Sequence, residues 1–242
     1  MDMKQNDSFR NTLSEPIWPP LGFTLKEIIV HNKSLLRTMT NWVLRLLRNE
    51  VQGTVIDLAS GKRPSYWQHM ELEKISHQII SIDLKLSCQP TVVADISAVP
   101  LKNNICDTVI IIGSLMHVAE PLKVLQEARS ILKQNGCLIF FVPFVFNIAF
   151  DPQDFWRFTP NSISWLSWQC GFNKVLTIPL GDRWSAIANL ILTGTPRLNR
   201  VFAPIIVPLF ICLDRISQKL LKKMGKRLPP CPIGYVVLAR TV

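Results

Sequence analysis

The chain has 242 residues, 48% of them apolar, with a formal net charge of +10 and a mean hydropathy of +0.22. This length suits one α/β domain with ample core, and the positive charge favours anionic partners: nucleic acid, anionic lipid or a phosphorylated substrate. The six cysteines are scattered without a Cys-x-x-Cys pair, which indicates reduced thiols and argues against a metal site.

The start of the chain is polar and mixed in charge, and it lacks the apolar run of a secretory signal. We therefore expect a cytoplasmic protein with a flexible segment over residues 1–20 and a single domain over residues 21–242. Apolar residues at helical spacing, with basic residues on the other face, predict one or two amphipathic helices within residues 21–50. Packing over the sheet is the favoured role of these helices, and contact with a membrane surface is the alternative.

The middle of the chain alternates short apolar runs with helix-compatible stretches, as expected for a parallel, doubly wound sheet. Strands are predicted near 54–58, 79–83, 91–94, 107–113 and 137–143, and helices near 65–73 and 121–134. The nearly continuous apolar run at 108–112 is typical of a central strand buried on both faces.

The second half begins with a stretch rich in aromatic residues and continues into a helix predicted at 160–171 and a strand at 174–178. We expect residues 184–230 to form a helical insertion before a closing strand at 235–242. Its apolar runs are broken by Pro204 and Pro208 and fall short of the roughly 20 residues of a membrane-spanning helix. Basic residues follow directly: Lys219, Lys222, Lys223, Lys226 and Arg227. The insertion is either buried with a solvated basic face or lies on an anionic membrane surface.

Acidic residues end three successive predicted strands. Asp57 ends the first of them and is followed by small residues at 59–61, so a ligand can approach the backbone of this turn closely. The helix start that follows offers free N–H donors. Asp83 and Asp95 end the next two strands, and the three acids therefore face one crevice at the carboxyl edge of the sheet. An acid in the place of Asp83 is suited to bind the two hydroxyls of a ribose.

Further segments complete a pattern that extends over roughly residues 50–180 and the last ten residues. Its parts are Asp57, Ala59, Gly61, Pro64 and Tyr66; Asp83; Asp95-Ile96; Cys106-Asp107; Leu115-Met116-His117-Val118; Lys133-Gln134-Asn135-Gly136; and Asp154 to Pro160. In these motifs the chain resembles the class I S-adenosylmethionine-dependent methyltransferases of the type 11 kind.

The resemblance implies a Rossmann-like, doubly wound α/β sheet of about seven strands with the last one antiparallel. It also implies S-adenosyl-L-methionine as the cofactor and methyl transfer by in-line displacement to a small-molecule, lipid or glycan-type acceptor. Asp57 either holds the cofactor's ammonium group or fixes the turn. The implied cofactor-binding residues are Asp57, Ala59, Gly61, Asp83, Leu84, Asp95, Ile96, Ser114 and Leu115.

The acceptor side leaves two alternatives open for each of its main residues. His117 falls where the family has its histidine, and it either accepts a proton or braces its loop through hydrogen bonds. Arg157, with Asp154 and Trp156, either binds a phosphate or carboxylate of the substrate or holds its own loop by pairing with Asp154 or Asp151.

The chain departs from the family pattern at Ala59, which replaces the first glycine, at Met116, which replaces a glutamate, and in the turn at 134–137. Ala59 costs little if its φ angle is negative, and Met116 changes the acceptor side or helix packing. These departures motivate the alternative of a catalytically weakened or inactive binding protein of the same fold.

Two other classes of protein are disfavoured. A nucleic-acid methyltransferase is disfavoured because the chain has no Asn/Asp-Pro-Pro-Tyr motif and no appended basic domain. An NAD-binding enzyme is disfavoured because the turn lacks the three-glycine fingerprint. We expect the protein in the cytoplasm, either free or associated peripherally with the inner face of a membrane.

Overall fold

An eight-stranded mixed sheet forms the centre of the protein in a computed structural model that describes residues 10–150, 153–193, 196–226 and 228–241. The strands are β1 (Arg10–Leu13), β2 (Thr54–Leu58), β3 (Gln78–Asp83), β4 (Val92–Val93), β5 (Cys106–Ile112), β6 (Leu132–Pro143), β7 (Lys174–Pro179) and β8 (Gly234–Arg240). They lie in the order β1-β7-β8-β6-β5-β2-β3-β4. Only β8 runs antiparallel to its neighbours, β6 and β7. The predicted Rossmann-like α/β fold with an antiparallel last strand is confirmed.

Helices cover both faces of the sheet, which explains why the central strands are aliphatic throughout. The helices are α1 (Leu21–Leu25), α2 (Leu35–Leu46), α3 (Tyr66–His69), α4 (Leu72–Ile75), α5 (Pro121–Ile131), α6 (Pro160–Gln169), α7 (Arg183–Leu192) and α8 (Pro196–Lys223), with a π-helical turn at Lys26–Val30. Successive strand residues point to opposite faces. Val55 and Ile110 pack with α2, α7 and α8, whereas Ile56 and Val109 pack with α5 and α6.

Predicted and observed bounds differ most at two elements. The helix predicted at 65–73 is divided into α3 and α4 because Glu71 between them lies in the left-handed region, with φ 54°. Strand β6 begins at Leu132, before the predicted start at 137, because Leu132 pairs with Cys106 across a register shift. Sequence patterns locate such element ends less well than they locate the elements themselves.

The eighth strand comes from the segment that we expected to be flexible. Arg10–Leu13 pairs in parallel with β7 at the edge of the sheet, and Ile17 bridges to Leu180. The Trp18 indole donates to the Asp214 carboxylate at 3.1 Å. Residues 10–18 are therefore tied to the domain, while residues 1–9 lie outside the described part of the chain. The division into a 1–20 segment and a 21–242 domain stays a prediction.

The insertion consists of α7 and α8, which pack against each other. Asp214 of α8 is 1% exposed and accepts backbone hydrogen bonds from Asp182, Trp184 and Ser185 at 2.9–3.1 Å. These are N–H groups at the start of α7, where the helix leaves donors without intrahelical partners and where its dipole favours a negative charge. A carboxylate from one helix thus caps the other and joins the two.

Helix α8 continues through Pro204 and Pro208, which we expected to interrupt its apolar run. Within α8, the 23 residues Val201–Lys223 are long and apolar enough, by length and composition alone, to cross a membrane, and 22% of their most apolar stretch is buried. The expectation that the prolines keep the run too short for a spanning helix is wrong. The prolines remove backbone donors but do not end the helix.

Candidate functional site

Strands β2, β3 and β5 end side by side at the carboxyl edge of the sheet, and we call the region outside these strand ends the crevice. The turn after β2 is in the left-handed region at both Ala59 (φ 55°) and Gly61 (φ 64°). A Cβ atom placed on Gly61 would meet no atom within 4 Å, so the backbone there borders open space. The Ser60 N–H donates to the Ile82 carbonyl at 3.1 Å and ties the turn to β3. This turn can admit a ligand close to its backbone.

Ala59 adopts the conformation that the glycine of the family motif adopts without strain. Its φ of 55° contradicts the negative angle on which the small expected cost depended. A left-handed conformation costs a residue with a Cβ atom about 1 kcal/mol. The turn therefore keeps its shape at the expense of backbone strain at one position.

Asp83 lies beside this turn at the end of β3. Its carboxylate accepts hydrogen bonds from the Gly61 N–H at 2.8 Å and from the Lys85 N–H at 2.9 Å, one on each oxygen. A carboxylate oxygen can accept more than one hydrogen bond, so both oxygens keep acceptor capacity for a ligand hydroxyl. The predicted ribose acid and the predicted glycine turn are thus in direct contact.

Asp57 is fully buried beneath the turn. It accepts hydrogen bonds from the Tyr66 hydroxyl at 2.8 and 2.9 Å and from the Trp67 indole N–H at 2.5 Å. Burial raises the pKa of Asp57 to about 7, and the two donors offset part of that rise. These contacts correspond to the turn-fixing alternative, because they join β2 to the start of α3.

Arg37 of α2 is a cation near this site that sequence reasoning missed. Its charge acts to lower the pKa of both Asp57 and Tyr66. The guanidinium makes no hydrogen bond or ion pair with any residue in the described ranges. The signal was present in the sequence as a basic residue on an amphipathic helix, but only the fold brings it near the end of β2.

The other predicted cofactor residues line the same edge. Leu84 is 68% exposed directly after Asp83, whereas Ile96 is buried. Asp95 accepts hydrogen bonds from the backbone and hydroxyl of Ser97, both at 2.8 Å, and the backbone bond is the main reason why the pKa of Asp95 is below its ordinary value. Asp95 is thus a turn cap that leaves Ile96 against the core.

Ser114 and Leu115 follow the end of β5. Leu115 is buried in the core, and the Ser114 Oγ is buried without a hydrogen-bond partner in the part of the chain that the structure describes. A buried hydroxyl without a partner is costly unless a ligand or water satisfies it. Ser114 is therefore suited to contact a polar group of a bound molecule. The neighbouring Met116 is buried as well, which agrees with a role in packing.

His117 is braced through one ring nitrogen. Its Nδ1 lies 2.5 Å from the Gln153 carbonyl, and a carbonyl can only accept, so Nδ1 carries the proton. In the neutral ring the Nε2 atom is then the acceptor. The bracing alternative is realised at Nδ1, and the same bond prepares Nε2 for a proton-accepting role.

Arg157 holds the loop between β6 and α6. It forms a two-bond pair with Asp154, with Nη1–Oδ1 at 2.5 Å and Nη2–Oδ2 at 2.7 Å, and it also donates to the carbonyls of Phe146, Asn147 and Trp156. These contacts use all five donors of the guanidinium. Because its donors are used within the loop, the arrangement favours the loop-holding alternative for Arg157 over binding of a substrate phosphate.

Trp156 fixes the same loop to the turn after β5. Its indole N–H donates to the Val118 carbonyl at 3.0 Å, and the Phe155 N–H donates to the Met116 carbonyl at 2.8 Å. Phe155 and Trp156 are 47% and 43% exposed, and Phe150 is 84% exposed. The acceptor side of the crevice therefore presents exposed aromatic surface. Asp151 lies outside the described residues.

A buried polar cluster between the N-terminal helices and α3 was also missed. Glu27, in the π-helical turn, is 4% exposed and accepts from Asn41 at 3.3 Å, with the His69 Nε2 at 3.2 Å. Asn41 also donates to Ser65 at 3.1 Å, just after the crevice turn. An acid within the apolar pattern of residues 25–49 was the available signal. Within the described ranges, no group of three or more His, Cys, Asp or Glu residues is arranged to hold a metal ion.

Comparison with protein families identifies the central part of the chain. Residues 43–140 match the family model of a methyltransferase domain. This range contains the motifs from Asp57 to Gly136 on which the resemblance rested. The resemblance to type 11 methyltransferases is confirmed, and with it the prediction of S-adenosylmethionine as the cofactor. No curated protein sequence matches the chain.

Solved structures share the fold at low sequence identity. An S-adenosylmethionine-dependent methyltransferase from Archaeoglobus fulgidus aligns with a TM-score of 0.57 and 16% identity over 91% of this chain and 99% of its own. A phosphoethanolamine N-methyltransferase from Haemonchus contortus, solved with phosphomonomethylethanolamine and S-adenosylhomocysteine, has a TM-score of 0.57 and 13% identity over 91% of this chain and 57% of its own.

Another solved structure with this fold carries a different activity in its name. The [4+2]-cyclase SpnF has a TM-score of 0.52 and 14% identity over 93% of this chain and 98% of its own. Likeness at this level establishes the fold, and the presence of a cyclase means that methyl transfer must be argued from the site.

Proposed function

We propose that this protein, whose residues 43–140 form a methyltransferase domain, transfers a methyl group from S-adenosylmethionine to a small-molecule, lipid or glycan-type acceptor in the cytoplasm. The observation that carries the proposal is the contact between Asp83 and the turn after β2. The Gly61 backbone borders open space, and its N–H donates directly to the Asp83 carboxylate, which can still accept further hydrogen bonds. Such a pair fits a ligand with both a ribose and a polar amino-acid end.

The residues fit this cofactor. Asp83 accepts from the ribose hydroxyls, and the backbone of Ala59 and Gly61 borders the amino-acid end. Arg37, a cation without a hydrogen-bonded partner among the described residues, faces the carboxylate of that end. Leu84, Asp95 and Ile96 flank the adenine, with Ser114 and Leu115 at the back wall.

The chemistry requires little from the protein beyond alignment. The sulfonium of the bound cofactor supplies an already activated methyl group. The protein then has to hold the acceptor atom in line and exclude water, and positioning of this kind can contribute several kcal/mol. An acceptor that loses a proton needs a base, and Nε2 of His117 is available because its Nδ1–H is bonded to the Gln153 carbonyl.

The acceptor side favours an apolar substrate over a free phosphorylated one. All five donors of Arg157 are occupied within its own loop, whereas Phe150, Phe155 and Trp156 present exposed rings. Aromatic surface contributes to binding mainly through apolar burial. These contacts support a lipid or another acceptor with an apolar part.

Calorimetric titration with S-adenosylmethionine and S-adenosylhomocysteine tests the cofactor site. Asp83→Ala should weaken binding by about 1–3 kcal/mol through lost charge-assisted hydrogen bonds. Because Asp83 also holds Gly61, Ser114→Ala serves as a second variant that leaves the turn intact. Glu73→Ala, an exposed change on α4, is the control. Wild-type affinity in both Asp83→Ala and Ser114→Ala would contradict the placement of the cofactor.

Transfer itself is tested with methyl-labelled cofactor and a membrane lipid extract beside water-soluble acceptors. Label in the lipid fraction, lost in His117→Gln with cofactor affinity retained, is the expected outcome. Tight cofactor binding without transfer to any acceptor class would instead support the inactive alternative that Ala59 and Met116 motivated.

A further inference from the structure

One face of α8 is apolar and points away from the domain. The side chains on the inner face are buried and follow each other at intervals of three or four residues: Ala203, Val207, Ile211 and Asp214. The exposed set repeats at the same intervals on the opposite side and comprises Val201, Phe202, Ile205, Leu209, Cys212, Ile216, Leu220 and Met224. We call this set the outer face of α8. Side chains at such spacing share one side of a helix.

The elements packed on α8 also present exposed aliphatic side chains. Ile187 and Leu190 of α7 are 41% and 43% exposed. Ile29 and Val30, on the π-helical turn that packs against α8, are 46% and 69% exposed. Soluble monomers rarely expose contiguous apolar surface of this extent without a partner.

The charge beside the outer face is mainly positive. Lys219, Lys222, Lys223 and Lys226 are all exposed in the last turns of α8 and just beyond. The only acid of residues 201–226 is Asp214, which is buried at the start of α7. Lys222 lies 3.9 Å from the Glu15 carboxylate in an exposed pair, and such pairs are weak. An apolar helical face next to a cluster of exposed lysines is complementary to an anionic lipid surface.

Helix α8 is anchored along its inner side, which distinguishes lying on a membrane from crossing one. Asp214 accepts hydrogen bonds from three backbone N–H groups of the 182–185 segment, from the Ser185 hydroxyl and from the Trp18 indole. Crossing a bilayer would strip this carboxylate of its donors and expose it to hydrocarbon, at a large cost. With the inner side held by the domain, only the outer face is free to meet lipid.

We propose that the outer face of α8 docks on the surface of an anionic lipid bilayer, with its aliphatic side chains among the headgroups and its lysines on the phosphates. The basic end of α8 is at the crevice edge of the sheet, because Gln218 donates to Asp182 and Ser217 accepts from the Trp184 indole, just after the end of β7. Docking therefore turns the edge of the sheet that carries the crevice towards the membrane. The docking surface shares no residue with the cofactor site, so it stands whether or not the domain transfers methyl groups.

The test is flotation of the full chain with vesicles of phosphatidylcholine alone and of phosphatidylcholine with an equal part of phosphatidylglycerol. The wild-type protein should float with the anionic vesicles at low salt and be released at ~1 M salt, where charges are screened over about 3 Å. Recovery of the protein only in the soluble fraction with both vesicle types would overturn the proposal. So would equal binding to both types without salt dependence.

Two pairs of substitutions address the apolar and basic parts separately. The apolar part is tested by the double variant Ile205→Glu/Leu209→Glu, and the basic part by Lys222→Glu/Lys223→Glu. Both variants change exposed positions, and each should weaken anionic-vesicle binding about tenfold or more. Leu46→Glu and Lys102→Glu, exposed positions on α2 and before β5, are the matched controls and should bind as the wild type does. Equal losses in the controls would mean that net charge alone governs binding and would overturn the assignment to α8.

Two further measurements separate this proposal from its competitors. Thermal unfolding and calorimetric titration with S-adenosylmethionine should be unchanged in the Ile205→Glu/Leu209→Glu variant, since neither side chain packs in the core. Sedimentation should show a monomer. A wild-type dimer that this variant dissociates, without lipid binding, would assign the outer face to a second copy of the chain and overturn docking on lipid.

Discussion

The crevice and the insertion are each built around one buried carboxylate, and the two differ in the donors that satisfy it. Asp57 is 0% exposed and is held by the side chains of Tyr66 and Trp67, nine and ten residues away. Asp214 is 1% exposed and is held by backbone N–H groups of α7 and by the Trp18 indole, 196 residues away. The donors of Asp57 are therefore close to it in the sequence, whereas those of Asp214 are distant.

This difference explains why one region could be interpreted from its motif and the other could not. Side-chain donors close to Asp57 fix a turn whose shape follows from nearby residues. Asp214 has no such neighbours, and in the sequence it is an acid directly after the apolar run that ends at Leu213. Its partners become visible only when α7 is placed beside α8. The region with local contacts forms the candidate cofactor site, and the region with distant contacts exposes the surface that we assign to lipid.

The largest expected effect comes from removing the carboxylate of the insertion. Asp214→Ala deprives the start of α7 of its cap and leaves buried donors without a partner, which should lower the free energy of unfolding by about 4 kcal/mol. Urea denaturation measures it, with the exposed Glu15→Ala as the control. Unchanged stability would mean that Asp214 does not stabilise the insertion in the way that Asp57 stabilises the crevice turn.

The Asp57 carboxylate should make the free energy of unfolding depend on pH. The pKa of Asp57 is raised to about 7 from 3.8, so the native state binds a proton that the unfolded state has already released. That contribution to stability is fully present below the ordinary pKa and is lost as the pH rises through about 7. Relative to Asp57→Asn, the wild type should lose about 3 kcal/mol of unfolding free energy between roughly pH 5 and pH 8. A wild type that gains stability over this range would show that the hydrogen-bond donors outweigh burial.

A third test concerns the pair that holds the acceptor loop. Arg157→Met leaves the Asp154 carboxylate, whose side chain is 4% exposed, without its main partner and should cost about 2 kcal/mol of unfolding free energy. The hydrogen bonds from Arg157 also hold the pKa of Asp154 below its ordinary value, so the contribution is lost as the pH falls through that lowered pKa.

Arg48→Met is the matched control for this variant, because Arg48 and Glu71 form an exposed pair at 3.6 Å. Exposed pairs contribute about 0–1 kcal/mol, so this change should be nearly silent in the same urea denaturation. If Arg157→Met were equally silent, Arg157 would be free to bind a substrate after all.

The smallest expected effect is a gain in stability. Ala59→Gly removes the strain of a left-handed alanine and should raise the free energy of unfolding by about 0.5 kcal/mol, the balance of relieved strain and added chain entropy. Ala98→Gly, at an exposed position outside the left-handed region, should lower it slightly. Melting temperatures of the two variants should therefore move in opposite directions, and a loss in both would place Ala59 outside the strained region in solution.

Much of the fold was predictable because its signals are periodic. Aliphatic runs and helical spacing placed seven of the strands and most helices, and the motif from Asp57 to Gly61 marked the crevice. The strand at Arg10–Leu13 was missed because its residues are polar, and it forms only because β7 offers an edge. The continuous α8 was missed because prolines usually end helices, whereas packing against α7 maintains this one.

The candidate site was likewise predictable only in part. The sequence indicated which residues meet at the carboxyl edge, since parallel strands must end together there. It could not choose between the two roles of Arg157 or of Asp57, because each choice depends on which donors and acceptors lie within about 3 Å. The carbonyls of Phe146 and Asn147 accept from Arg157, and the indole of Trp67 donates to Asp57. These contacts favour the loop-holding and turn-fixing alternatives, and the roles themselves stay predictions.

By itself, then, the amino-acid sequence determined the order of seven of the eight described strands and of most helices, the position of the crevice turn and the resemblance of residues 43–140 to a methyltransferase domain. These follow from spacing and from short motifs, in which each residue acts on near neighbours. Only the tertiary structure decided which carboxylate caps which helix, which histidine nitrogen stays free and which side of α8 faces outward. Those outcomes depend on contacts between residues far apart in the chain, and burial and hydrogen-bond geometry exist only after the elements have packed.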